Sequence, residues 1–267
     1  MANPSLPAAS PIYRPRRFAK CTAYLAFALA LMTAWARADG NEETTTVETK
    51  AQEAVEILPY TAEYEFEMAG LTIKVKRELK QRQDGEWVLT FAGKKLVASI
   101  QETAVFSVHG EAIQPRSFVY QLNAGLVKRR REVHFDGSDV IRSLYKDKWY
   151  ELPYTEGTLD RMTQQEQLRF SLIADPTPKE DVNVRIADGK RIKEYILRYA
   201  GEELVKTPLG EVNTLRFTRV HDDDEERSSD FWVAPDWDYL MVKTLHVEDG
   251  SANEAVITGA TIGGKKL

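Results

Sequence analysis

A histidine followed by five consecutive acids, His221-Asp222-Asp223-Asp224-Glu225-Glu226, is the densest group of potential metal ligands in the chain. Calcium takes six to eight oxygen ligands from a loop that spaces them and turns on a glycine. Here the acids are contiguous and no glycine lies between Val220 and Asp230. Neighbouring side chains in a tight loop diverge, so the segment is expected to be a solvated hairpin tip and not a calcium site. Zinc wants several histidines or cysteines, and one histidine does not supply them. No metal and no cofactor is expected.

Two aromatic rings follow at once. In a strand beginning at Asp230, Phe231 and Val233 share one face and Trp232 takes the other. One of the two rings therefore faces away from the main core, either packed there or forming a ligand wall, which makes Trp232 a candidate binding residue. The basic run Lys128-Arg129-Arg130-Arg131 is a third candidate. The alternation of Val127, Val133 and Phe135 puts Arg129 and Arg131 on their face and Lys128 and Arg130 on the opposite one. Guanidinium groups that turn inward demand a carboxylate or phosphate. Internal Asp or Glu partners at an exposed strand end satisfy that demand as well as an anionic ligand does.

Catalytic spacing is missing. His109, His134, His221 and His246 are scattered, and there is no G-x-S-x-G elbow, H-E-x-x-H pair or glycine-rich phosphate loop. The expectation is a protein that is not an enzyme.

The elements that must position these side chains begin after an export signal. Arg14, Arg16, Arg17 and Lys20 precede the apolar run CTAYLAFALALMTAW, and Ala36-Arg37-Ala38 has the small-x-small cleavage pattern. The run is shorter than the twenty or so apolar residues that span a bilayer. Residues 1–38 are therefore read as a cleaved secretory signal, giving a soluble periplasmic protein, not an integral membrane one. Cys21, the only cysteine, lies inside the signal. The full chain carries 36 basic and 41 acidic side chains, net −5. Removing the signal takes five basic residues and no acid, leaving about −10. That balance argues against nucleic acid or an anionic bilayer as the main partner, since each needs a positive face.

Residues 39–56, DGNEETTTVETKAQEAVE, are polar and acidic and are read as a flexible lead-in. From residue 57 to 267 the pattern is that of one β-rich domain. Tyr60, Ala62, Tyr64, Phe66 and Met68 alternate with polar residues, Gly70 marks a turn, and Leu71, Ile73 and Val75 resume. Short strand candidates recur, separated by Asp84-Gly85, Asp136-Gly137, Asp188-Gly189 and Asp249-Gly250. One segment, TLDRMTQQEQLRFSLIAD, places Leu159, Met162, Leu168 and Leu172 near helical spacing, with Thr158 as a possible N-cap and Pro176 closing it.

Tyr60-Thr61-Ala62-Glu63-Tyr64, GLVKRRREVHFDG, Thr158-Leu159-Asp160, VRIADGKRIKEYILRYAGEELVKTPLGEV and the FWVAPD…LMVKT ending together resemble the exported bacterial family catalogued as domain of unknown function 3108. The resemblance covers about residues 57 to 262. It implies a periplasmic or outer-surface protein built on one large curved antiparallel sheet, half-open and barrel-like, with one amphipathic helix and no established activity. In architecture alone it is similar to periplasmic lipoprotein carriers, whose half-open barrels hold acyl chains.

Two functions are expected on this basis. The first is a non-enzymatic periplasmic binding or carrier protein for an amphipathic or envelope-derived ligand. Its groove would be lined by Tyr64, Phe66, Phe91, Phe118 and Tyr120, with Arg129 and Arg131 for an acidic head group. The alternative is a recognition module for glycan or another envelope protein, using Trp149, Tyr150, Trp232 and Trp237 as an exposed platform. The candidate ligand-binding residues are thus Arg129, Arg131, Phe118, Tyr120 and Trp232.

Overall fold

The computed structural model describes residues 56–68, 71–178, 180–220, 227–248 and 250–267, all within the unit Lys50–Leu267. The signal segment, most of the acidic lead-in, Gly70, the run His221–Glu226 and Asp249 lie outside the described residues.

Strand-period alternation and glycine turns produce a long meander. Its first half is β1 (Tyr60–Met68), β2 (Leu71–Gln81), β3 (Trp87–Lys95), β4 (Ala98–His109), β5 (Ala112–Ala124), β6 (Val127–Phe135), β7 (Val140–Tyr145) and β8 (Lys148–Pro153). The short β9 (Thr158–Leu159) and the helix α1 (Thr163–Ala174) interrupt it. The second half is β10 (Asp181–Asp188), β11 (Arg191–Thr207), β12 (Gly210–Val220), β13 (Ser228–Ala234), β14 (Leu240–Glu248), β15 (Ser251–Ile262) and β16 (Lys265–Lys266). All belong to one 16-stranded sheet. Its order runs from β8 back to β1, then β15 down to β9, with β16 beside β15. Among the described residues, only the β9–β10 pair is parallel.

The sheet curls so that strands far apart in its order touch. The Ser143 hydroxyl on β7 donates to the Gly189 carbonyl beyond β10 at 2.6 Å. Arg131 on β6 reaches Asp188 on β10 at 3.6 Å. Gly189 is needed there twice over: its φ is +65°, and a Cβ would stand 3.3 Å from the Tyr145 ring. No ladder pairing joins β7 to β10, so side chains stitch this seam.

The inner face carries the core, with Leu89, Ala104, Phe106, Phe118, Phe217 and Ile257 at or near zero exposure. Helix α1 packs inside it, Phe170 lying 6.4 Å from Phe106 between ring centres. Its first turn differs from the sequence expectation. Thr158 lies in β9, and Asp160 does the capping instead, its Oδ1 accepting from the Met162 and Thr163 amides at 2.8 and 3.0 Å. Nor is one helical face left wet. Gln164, Glu166 and Arg169 are buried along with Leu168, Phe170 and Leu172, because the helix sits within the curl and polar partners meet its polar side.

Those partners form one network. Arg77 donates to Glu166 Oε1 at 2.9 Å, to the Tyr60 hydroxyl at 2.8 Å and to Gln165 at 2.5 Å. Tyr60 donates to the same Glu166 oxygen at 2.6 Å, and Arg169 approaches Glu166 Oε2 at 3.4 Å. Burial pushes the Glu166 carboxyl up, but Arg77, Arg169 and the Tyr60 hydrogen bond outweigh it and hold it below the ordinary carboxylate range. Gln167 ties the helix to the Glu111 carbonyl and the Ile113 amide. Arg169 ties it to the Asp238 carbonyl. The helix therefore closes one end of the curl, at the β4–β5 and β13–β14 connections. Among the described residues, no helix lies at the other end.

Candidate functional site

Antiparallel register sets the concave wall. Ala62 pairs with Arg77, Arg77 with Phe91, Phe91 with Glu102, Glu102 with Tyr120, and Tyr120 with Arg131. Directly paired residues share a face, so a buried cation, two rings, a carboxylate and a second cation form one row across the concave surface. From the other flank, Phe231 pairs with Thr244 and Ser229 with His246.

These strands enclose a cleft of about 1330 Å³. Among its lining residues are the cations Arg131, Arg161, Arg185, Arg191, Lys193, Arg219 and Arg227, against the acids Glu102, Glu156, Asp188, Glu194 and Asp230. Asp188 is the focus. Lys193 meets it at 2.5 Å and Arg131 at 3.6 Å, and Arg161 also acts on it. Burial raises the Asp188 carboxyl, and these cations more than reverse the effect, keeping it ionised. Arg219 stacks on the Tyr195 ring, its guanidinium carbon 4.0 Å from the ring centre. Burial pulls the Arg219 pKa down from its ordinary value, with Tyr195 opposing the effect and Arg161 adding to it, and its buried Nε has no hydrogen-bond partner among the described residues. A cation that is desolvated, stacked and short of one acceptor is prepared for an anion.

A smaller cavity of about 150 Å³ adjoins the cleft, sharing Glu102, Arg161, Gln165 and Thr244 with it. Its remaining lining is Tyr64, Phe66, Phe91, Met162, Met241, Ala255 and Arg77, a mostly apolar pouch. An apolar cavity near this volume holds a benzene-sized group. Glu102 stands where the two spaces meet. Burial raises its pKa, and the surrounding Arg161, Arg77 and Arg131 oppose that only in part.

The five residues singled out from sequence do not converge. Arg131 lines the cleft. Tyr120 is half-buried beside it, with the Arg131 guanidinium 5.9 Å from its ring centre. Arg129 shares their face but sits out on the exposed end of the β5–β6 hairpin. Phe118 is 1% exposed and belongs to the core. Trp232 lies on the opposite side of β13 from Phe231, buried, with Arg216 and Lys243 5.2 and 5.1 Å from its ring centre. Phe231, not Trp232, faces the cleft. Nor do the four platform residues present one surface: Trp149 is exposed, Trp232 is buried, and Tyr150 and Trp237 are partly covered.

Sequence reasoning missed Arg161, Arg219 and Asp188. Arg219 was legible by parity, two positions from Phe217 in β12, but nothing marked that face as a cleft. It also missed a cross-strand pair, Ser229 Oγ and His246 Nδ1, 2.8 Å apart. That distance suits a nucleophile and its base. Ser229 is, however, buried. Among the described residues no group of three or more His, Cys, Asp or Glu is placed to hold a metal ion, and no helix is long and apolar enough to cross a membrane.

The family model described as "Protein of unknown function (DUF3108)" matches residues 59–254. No curated protein matches the chain. Among solved structures, the chain is similar to a beta-barrel-like protein of domain of unknown function DUF1849 from Brucella abortus. The TM-score is 0.51 at 11% identity, covering 78% of this chain and 99% of that one. That likeness is one of fold.

Proposed function

The chain belongs to the DUF3108 family of proteins of unknown function, and because no activity comes with that membership we propose a role from the cleft itself. It is a non-enzymatic binding or carrier protein, exported to the periplasm, that takes an anionic amphipathic molecule. The observation that carries this reading is the junction of two chemically different spaces. Arg131, Arg161, Lys193 and Arg219 gather around Asp188 in the large cleft, and the apolar pouch of Tyr64, Phe66, Phe91 and Met241 opens beside them. An acidic head group takes the cations, and the apolar part enters the pouch. The pouch's size favours a ring or a short alkyl end over a full acyl chain.

Native mass spectrometry of protein recovered from its own compartment, without detergent or refolding, tests the reading. The wild type is expected to carry a discrete added mass that organic extraction removes. The Arg161→Ala/Arg219→Ala variant should lose at least about tenfold in occupancy, since each charge-assisted hydrogen bond contributes roughly 1.5–3 kcal/mol. An adduct retained equally by the variant would show that the cleft cations do not hold it. A wild type at the bare polypeptide mass would favour the alternative, recognition of a glycan or another envelope protein.

A further inference from the structure

Two neighbouring hairpin ends carry side chains that serve no purpose in the fold. Leu96 and Val97 turn β3 into β4 and are 89% and 80% exposed. Gly125 and Leu126 turn β5 into β6; Leu126 and the first residue of β6, Val127, are 102% and 46% exposed. Because Ala98 pairs with Ala124, the two tips lie side by side. Beyond β6 the next strand does not reach them, since the β6–β7 pairing begins only at Glu132 and Leu144. The four apolar side chains thus project together.

Solubility and backbone preference would both choose other residues here. A two-residue hairpin turn ordinarily takes Gly, Asn or Asp. Leu96 instead adopts a φ of +52°, a left-handed conformation that a branched aliphatic side chain resists. A hydrophobe that is nearly fully exposed and also strained makes no contribution within the monomer.

Charge around the tips is as selective. Residues 92–101 and 121–130 include Lys94, Lys95, Lys128, Arg129 and Arg130 and not one acid, in a chain whose formal net charge is −5. Lys94, Lys128 and Arg129 are exposed. Of the other two, Lys95 donates to the Thr72 carbonyl and Arg130 pairs with Glu132. The acidic balance of the whole chain, which argued against an anionic surface, therefore does not describe these two tips.

We infer that the Leu96-Val97 and Leu126-Val127 tips dock the protein reversibly on an anionic lipid bilayer, the aliphatic side chains entering the interface and the basic residues behind them meeting the head groups. Short apolar projections backed by cations fit such a surface, where apolar burial and attraction to anionic lipid add. Four side chains cannot span it. The tips lie at the end of the curl away from the helix, near the cleft: Arg131 in the cleft wall is four residues, about 13 Å of strand, from Val127. Docking there leaves the helix-closed end in water.

Flotation of the full chain with vesicles tests this, comparing phosphatidylethanolamine–phosphatidylglycerol with phosphatidylcholine alone. The apolar run at residues 22–35 can carry any version of the chain to a bilayer, so the reading is the difference between variants. Leu96→Asn/Leu126→Asn should reduce partitioning to the anionic vesicles by at least about tenfold, with an unchanged or higher Tm because Asn tolerates φ near +52°. Lys128→Glu/Arg129→Glu should lower it on anionic vesicles only. Equal partitioning of the Asn variant and wild type, or no wild-type preference for anionic vesicles, would overturn the inference. Loss of binding to an acidic protein surface without loss to vesicles would assign the tips to a protein partner instead.

Discussion

Asp160 offers the sharpest test of the packing around α1. It is fully buried where the chain enters the helix. Its Oδ1 accepts two amides, while Oδ2 has no hydrogen-bond partner among the described residues. Burial pushes its pKa up to about 6, against those hydrogen bonds, from an ordinary value near 3.9. The folded state therefore binds this proton more tightly than the unfolded state. The stability tied to it is full below about pH 4 and is lost as pH rises to about 6. Two pKa units correspond to about 3 kcal/mol. Asp160→Asn keeps the Oδ1 acceptor and stays neutral at every pH, so it imitates the protonated form. Wild type and variant should be nearly equal at pH 4, and the variant should be about 3 kcal/mol more stable at pH 8. That is roughly 6–12 °C in Tm for a domain of this size. Urea unfolding of both proteins from pH 4 to 8 measures the difference, in which every other titrating group cancels. A stability difference independent of pH across that range would refute the claim that Asp160 is desolvated.

The network around Glu166 predicts a different signature. Arg77→Met strands the buried Glu166 carboxylate with only Arg169 and Tyr60, and should destabilise by about 3–5 kcal/mol. Arg77→Met/Glu166→Gln should be destabilised by less than the sum of its single changes, as a double-mutant cycle in denaturant will show. At the β2–β3 pairing, a Cβ on Gly93 would stand 2.5 Å from Val75 Cγ1 and 3.1 Å from the Lys74 carbonyl. Gly93→Ala should therefore cost about 1–3 kcal/mol by overpacking. Adding Val75→Ala should recover some of that loss, read from the same unfolding curves.

Local pattern told the truth wherever neighbours in sequence are neighbours in space. The alternation of Tyr60, Ala62, Tyr64 and Phe66 is the inner face of β1, and Asp84-Gly85, Asp136-Gly137 and Asp188-Gly189 do punctuate strands. Strand parity also put Arg129 and Arg131 on the face of Val133 and Phe135; that Arg131 stands opposite Tyr120 comes from the register. What escaped depends on the curl. Arg77 looks like any charged strand residue until a helix residue 89 positions away meets it. Asp188 meets Lys193 within its own hairpin, but it gains Arg131 only because β10 comes round to β6. Trp232 illustrates the limit of parity: alternation separated it from Phe231 but could not say which of the two faces the open space. Phe118 failed for the opposite reason. Being on the lining face does not expose a residue when the next layer covers it.

The side-chain seam between β7 and β10 has a mechanical consequence. A barrel closed by a ladder widens only by breaking several backbone hydrogen bonds together. Here the two flanks meet through contacts that include the Ser143–Gly189 hydrogen bond, the Arg131–Asp188 ion pair and the seating of Gly189 on the Tyr145 ring. These contacts can release in succession while every ladder in the sheet stays whole. The wall can thus yield like the lips of a purse, changing the girth of the interior without any unfolding. The same Arg131 and Asp188 that clasp the margin face the cleft, so an anion that draws Arg131 away from Asp188 also loosens the clasp.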